Sequence, residues 1–298
     1  MMIEIEGLSK SFGRFDAVRD LTMSAPEGSA FALVGANGAG KTTTIKTLMN
    51  IIEPDRGHVR VMGVESRRLG AADYARIGYV SENQELPERL TVAQFVAYLR
   101  PFYPTWDAEL ERTLLGQAQL PPDRTIRNLS HGMRVKLALV CALAFRPRLL
   151  VLDEPFSGLD PLVRDEFMEV LLGQAADTTL LISSHELAEI EGVATHIGFI
   201  DRGRLLFQES MEDLSARVRE VHVVLDGDAA APAAAPPEWL DLKAAGSVVS
   251  FVDTRFDEAG LRAQVAAVLG PVRRVDVRPL ELRSIFTTIA RSLRQEAA

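Results

Sequence analysis

Eight consecutive residues, Gly35-Ala36-Asn37-Gly38-Ala39-Gly40-Lys41-Thr42, combine glycines, one lysine and one hydroxyl at the spacing of a phosphate-binding loop. Three glycines let the backbone turn its N–H groups inward on phosphates, and the helix expected from Thr43 to Asn50 adds a positive dipole end. Lys41 reaches the outer phosphates and Thr42 is placed to ligate Mg²⁺. The chain has only five lysines against 28 arginines, so a compact ammonium at position 41, in place of a bulkier guanidinium fork, is informative. A second constellation follows in Leu149-Leu150-Val151-Leu152-Asp153-Glu154, an apolar run that ends in two carboxylates. Asp153 at such a strand end would hold Mg²⁺ through water, and Glu154 would take a proton from, or orient, an attacking water.

These groups need strands behind them. Ala30 to Val34, Ile77 to Val80, Leu149 to Leu152, Leu180 to Ser183 and Ile197 to Asp201 read as short β runs separated by helical periodicities. That alternation predicts an α/β sheet with crossovers. Met2 to Leu8 with Leu21 to Met23, and His58 to Met62, read as an antiparallel β extension. Residues 91 to 145 lack strand signals and are expected to be mostly helical. A main boundary is expected near residue 215, so that 1–215 forms the nucleotide-binding domain and 216–298 a small α+β domain. The latter takes strands at Glu220 to Leu225, Val248 to Asp253 and Val272 to Arg278, and helices at Glu258 to Leu269 and Leu280 to Arg294. Asp226 to Pro237, rich in alanine and proline, reads as a loop or linker.

Composition narrows the functional classes. At 298 residues with 47% hydrophobic and 25% charged side chains, the chain is long enough for about two folded domains and fits neither a coiled-coil rod nor wholesale disorder. The single cysteine, Cys141, excludes an internal disulfide and a cysteine-based zinc site. No window approaches the ~18 apolar residues that span a bilayer, and the acidic start Met1 to Glu6 predicts no secretory leader. Of the net charge of −8, all lies in residues 1–216, with 22 basic against 30 acidic side chains, while 217–298 balances at 11 each. Such a balance offers no basic stripe for nucleic acid.

In this order the motifs resemble an ATP-binding cassette (ABC) protein, the nucleotide-binding subunit of an ABC transporter, over residues 2 to about 215. The resemblance implies a P-loop NTPase fold of ABC type, a mixed sheet with an antiparallel β extension and a helical subdomain near 91–145. Leu129-Ser130-His131-Gly132-Met133 is similar to the family's signature motif, and Ser157-Gly158-Leu159-Asp160 resembles its D-loop. His185, at the end of the strand Leu180 to Ser183, resembles the switch histidine that contacts the γ-phosphate. The family's head-to-tail dimer implies that Ser130 and Gly132 of one copy meet the γ-phosphate held by the other, a role suited to a helix N-cap serine and the N–H groups after it. Phe12 is the implied adenine-stacking aromatic, with Phe15 as its alternative. Two departures stand out: His131 and Met133 replace the usual glycine and glutamine of Leu-Ser-Gly-Gly-Gln, and Glu82 stands where a glutamine usually ligates Mg²⁺, with Gln84 two residues on.

The resemblance implies ATP and Mg²⁺ as cofactors and a separate transmembrane permease as partner. It also implies a second cassette subunit, identical or different, and a cytoplasmic location at the inner face of the cell membrane. Glu82 with Glu85-Leu86-Pro87-Glu88-Arg89-Leu90-Thr91-Val92 and Pro101 to Asp107 resembles exporter-type cassettes of bacterial drug and peptide-antibiotic systems, where Phe95, Tyr98, Phe102, Tyr103 and Trp106 are candidates for a permease-docking groove, core packing of the helical subdomain being the alternative expected for most of them. Pro279-Leu280-Glu281-Leu282-Arg283-Ser284-Ile285-Phe286 resembles the element that closes such chains and points to regulation or dimer contact. A soluble cassette acting on nucleic acid or ribosomes usually carries two cassettes or long coiled-coil insertions, and neither is seen. A sensor that binds ATP without turnover commonly lacks the base, which Glu154 supplies here.

Overall fold

The computed structural model describes residues 1–173, 178–227 and 235–296, the last four of these by backbone alone. The alanine- and proline-rich segment expected as a linker falls, over 228–234, outside the described residues. The described chain divides into two compact units, Met1–Gln208 and Glu209–Ala298.

The first unit opens with the hairpin β1 (Ile3–Phe12) and β2 (Phe15–Ala25), continues with β3 (Ala30–Val34) and α1 (Lys41–Leu48), and then gives β4 (Arg56–Val61) and β5 (Val64–Glu65). β1, β2, β4 and β5 form one four-stranded sheet in the order β2-β1-β4-β5, with every pairing antiparallel. This is the expected β extension. After the short helix α2 (Ala71–Tyr74) comes β6 (Ile77–Val80), then the helical part: α3 (Val92–Leu99), α4 (Ala108–Gln117) and α5 (His131–Leu143). Thr91 and Gln94 form a reciprocal capping box at the start of α3, and the carboxylate of Asp107 caps α4. β7 (Leu149–Asp153), α6 (Pro161–Leu172), β8 (Thr179–Ser184), β9 (His196–Asp201) and β10 (Arg204–Ser210) complete it.

The second sheet runs β10-β9-β3-β8-β7-β6, with β9, β3, β8, β7 and β6 paired in parallel. β3, β7 and β8 are buried at every position, which is why they read as unbroken apolar runs. In-register pairing sets Val34 beside Ser184 and Asp153 beside Ser183, so the carboxyl ends of three neighbouring strands emerge together. In open parallel sheets that edge is where ligands bind. The core behind it, including Ile5, Leu21, Phe31, Leu33, Ile45 and Val151, is shared by both sheets.

The second unit carries α7 (Met211–Arg217), β11 (Arg219–Leu225), β12 (Trp239–Ala245), β13 (Val248–Asp253), α8 (Glu258–Leu269), β14 (Val272–Pro279) and α9 (Leu282–Glu296). Its antiparallel sheet has the order β12-β13-β11-β14 over a core of Val221, Val223, Phe251, Leu261 and Val265, with Trp239 stacked on Phe251 at 4.0 Å. The division falls before the expected 215 because α7 is tied into this unit. The Arg217 guanidinium grips Glu209 and the Thr254 carbonyl, and the Arg217 carbonyl accepts from the Phe256 amide.

Candidate functional site

The loop from Gly35 to Gly40 is shaped by close approach. A Cβ at Gly35 would stand 2.2 Å from the Ile200 carbonyl oxygen, and one at Gly40, whose φ is +110°, would stand 2.5 Å from that of Ala17. Glycine is the residue that fits both the contact and the left-handed backbone. The loop closes internally where the Ala39 amide donates to the Ala36 carbonyl, and the Gly35 amide donates to Ser184 of the neighbouring strand. α1 then starts at Lys41, so the free N–H groups of its first turn face the loop.

Lys41 is buried, and its ammonium donates to the carbonyls of Gly35 at 2.6 Å and Ala36 at 3.2 Å while lying 2.9 Å from Glu154 Oε1. Glu154 Oε2 is 2.8 Å from His185 Nδ1, so one carboxylate bridges the lysine and the histidine. The hydrogen bond to Glu154 holds the His185 pKa above its ordinary value, against the pull of partial burial. Asp153 is 1% exposed and accepts from Thr42 Oγ1 at 3.2 Å and Ser183 Oγ at 2.7 Å. Burial raises its pKa, and those two hydrogen bonds pull it back.

Neighbouring side chains on a strand point to opposite faces, yet Asp153 and Glu154 reach Thr42 and Lys41, themselves neighbours. The reversal comes from the backbone. Glu154 sits in the left-handed region at φ +50°, a conformation that costs a non-glycine residue about 1–3 kcal/mol and clusters at functional sites. Its amide donates to Ser183 Oγ, which thereby fixes both carboxylate residues from the adjacent strand.

These groups surround a cavity of about 270 Å³ lined by Asn37, Gly38, Gly40, Lys41, Thr42 and Thr43, with Glu82, Glu154, Ser157, His185, Ala17 and Phe15 completing the wall. Gly35, Ala36 and Ala39 shape the loop behind it, and Asp153 meets it through Thr42. Phe12, the expected stacking aromatic, does not line the cavity; its ring lies under the Lys10 ammonium at 5.5 Å, and Phe15 stands at the wall instead. Both flank the turn Gly13-Arg14 and both are exposed, so only tertiary placement separates them. Glu82 is at the wall, 3.5 Å from Ser157 Oγ.

Ser130, Gly132 and Asp160 stand apart from this cavity. Ser130 caps α5 by accepting from the Met133 amide, and Asp160 caps α6 by accepting from Val163. Gly132 has work inside its own chain: a Cβ there would lie 2.8 Å from Val163 Cγ1, so the first turns of α5 and α6 touch because this residue is glycine. Of the aromatic residues expected at a permease surface, Phe95 is buried, Tyr103 stacks on Phe145 at 4.0 Å, and the Trp106 indole donates to Glu111. Tyr98 and Phe102 remain exposed, edge to face at 5.5 Å. Burial pushes the Cys141 thiol pKa up, which leaves it unreactive.

Sequence reasoning gave no role to Ser183, Ser184 and Glu189, and named Ser157 only within the D-loop resemblance. Ser184 Oγ accepts from the Glu186 amide and donates to Glu189, whose pKa burial raises. The pair Ser183-Ser184 immediately before His185 was the available signal, since two hydroxyls inside a fully buried strand need partners.

A phosphate loop, two carboxylates and a histidine gathered at one edge of a parallel sheet define a nucleoside triphosphate hydrolase of the phosphate-loop class. The ABC transporter family model matches residues 18–157. The ABC transporter ATP-binding protein YtrB of Bacillus subtilis is 31% identical over 76% of this chain and 78% of its own length. The bacitracin transport ATP-binding protein BcrA of Enterococcus faecalis is 32% identical over 74% of this chain and 72% of its own. A solved ATP-binding subunit of an ABC transporter superposes with a TM-score of 0.66 at 30% identity, covering 72% of this chain and 92% of that one. The chain belongs to the ATP-binding proteins of ABC transporters, an ATPase family.

Proposed function

We propose that this chain hydrolyses Mg·ATP at the cavity between Lys41, Glu154 and His185 and, paired with a second cassette, drives a separate transmembrane permease that exports its substrate. The observation that carries this reading is the single carboxylate of Glu154 held between the Lys41 ammonium and the His185 ring. Arriving phosphates take over Lys41, which frees one oxygen of Glu154 to accept the proton of a water attacking the γ-phosphorus while the bond to the β-phosphate oxygen breaks. His185 keeps the other oxygen oriented.

The donor set suits a hard divalent cation, because Thr42 and the buried Asp153 offer oxygen ligands 3.2 Å apart and Glu82 faces the same cavity. Mg²⁺ held by Thr42, Asp153 and Glu82 would supply charge neutralisation at the phosphates. Phe15 takes the adenine-stacking role in place of Phe12. Phe15→Ala is expected to weaken ATP binding about 5- to 150-fold, the worth of one base–aromatic stack, whereas Phe12→Ala should change it less than about 2-fold. Titration with ATP of both variants checks this.

Ser130, Gly132 and Asp160 lie outside the cavity of their own chain, which supports a role across a dimer. No helix among the described residues is long and apolar enough to cross a membrane; the permease is a separate chain that holds this subunit at the inner membrane face. The relative named for bacitracin transport supports a peptide antibiotic or drug as the substrate class. The test is phosphate release and solution mass of the purified chain. We expect ATP hydrolysis that vanishes with EDTA, and ATP-dependent doubling of mass; hydrolysis insensitive to EDTA, or none, would refute the reading.

A further inference from the structure

His131 replaces a glycine of the usual signature, and its ring has a partner within the same chain. Nε2 lies 3.2 Å from the Ser157 carbonyl oxygen. A ring nitrogen facing a carbonyl at that distance carries hydrogen, since the other neutral tautomer would set lone pair against lone pair. Gly158, at φ +70°, turns the backbone beneath the ring, and a Cβ on it would come within 3.8 Å of Nε2. Ser157 itself lines the nucleotide cavity, and its hydroxyl meets Glu82 there. His131 does not line that cavity. It lines a smaller one of about 140 Å³ that shares Glu82 with it and also takes in Gln84 and Arg134.

Two neighbouring contacts join α5 to α6. Gly132 packs against Val163 one residue on, and Lys136 pairs with Glu166 a turn later. These two contacts hold the helices together, and His131 reaches the loop that carries Ser157.

We infer that His131 is a positioning residue for ATP hydrolysis: its Nε2–H anchors the Ser157 carbonyl and so sets Ser157 and Glu82 at the wall of the nucleotide cavity. This rests on the proposed hydrolysis at that cavity. Removing the anchor leaves Lys41 and the phosphate loop untouched, so turnover falls while nucleotide affinity holds.

The experiment measures kcat and KM for Mg·ATP in the full chain as wild type, His131→Ala and His131→Gln. His131→Ala should lower kcat about 3- to 10-fold, the worth of one hydrogen bond, with KM within about 2-fold of wild type. Glutamine carries an amide N–H three bonds from Cβ, as Nε2 is in histidine, and should restore kcat to within about 2-fold. Equal losses in both variants, or a kcat unchanged in His131→Ala, would overturn the assignment. A change confined to KM would place the ring on the nucleotide and overturn it as well. A wild-type protein without ATPase activity is a different failure, that of the parent reading.

Discussion

Glu154→Gln is expected to lower ATP turnover by about 10²- to 10⁴-fold while leaving ATP bound, because the amide keeps the side chain's shape and loses the capacity to take a proton. With hydrolysis blocked, a pair of subunits closed on ATP should persist, and solution mass with and without Mg·ATP reads this directly. The same change acts on His185. Its pKa is raised first of all by the hydrogen bond to Glu154, so in the nucleotide-free variant it should fall back toward about 6.5, as NMR titration would show. A raised histidine pKa contributes stability that is fully present below the unfolded value and lost as pH climbs through the folded one. The variant should therefore lose the histidine's share of stability on the acid side of about pH 6.5, a share that vanishes above the folded pKa and leaves the cost of the unpaired Lys41 ammonium. Unchanged turnover in Glu154→Gln would remove Glu154 as the base.

Lys41→Ala should abolish most ATP binding. Truncating one member of a buried, hydrogen-bonded charge pair costs about 2–5 kcal/mol, roughly 30-fold to several thousand-fold in affinity. Because Lys41 also neutralises Glu154 in the nucleotide-free protein, the single variant should be destabilised, by an amount on the order of 3 kcal/mol. Lys41→Ala combined with Glu154→Gln removes both charges and should recover much of that stability without recovering affinity. Calorimetric titration and thermal melts of the two proteins separate these effects. Near-normal ATP affinity in Lys41→Ala would show that the ammonium serves the fold and not the phosphates.

Much of this site was legible in the residues alone. The phosphate loop declares itself because close backbone approach admits only glycine at Gly35 and Gly40, and the buried strands β3, β7 and β8 because two covered faces demand unbroken apolar runs. Other features leave weaker marks. β12, Trp-Leu-Asp-Leu-Lys-Ala-Ala, is a half-exposed edge strand with no apolar run, and β10 is nowhere fully buried; neither was expected. Phe12 and Phe15 share residue type, hairpin and exposure, so nothing local decides which meets the nucleotide cavity. The hydroxyl of Ser183 and the reversed backbone at Glu154 matter only once β7 and β8 lie side by side.

That side-by-side arrangement has a consequence for how the chain tolerates change. Lys41, Glu154 and His185 are delivered by the ends of β3, β7 and β8, whose alignment pairs Val34 with Ser184 and Asp153 with Ser183. A one-residue insertion inside any of the three would turn its buried side chains to the opposite face and carry its terminal group off target. Surface connections such as those on either side of α4 carry no group that lines the cavity, and lengthening a loop costs little. The helical part can therefore be redrawn while the hydrolytic edge stays as it is, a division of labour in which the ATP-splitting groups place no constraint on the surface that the helices present.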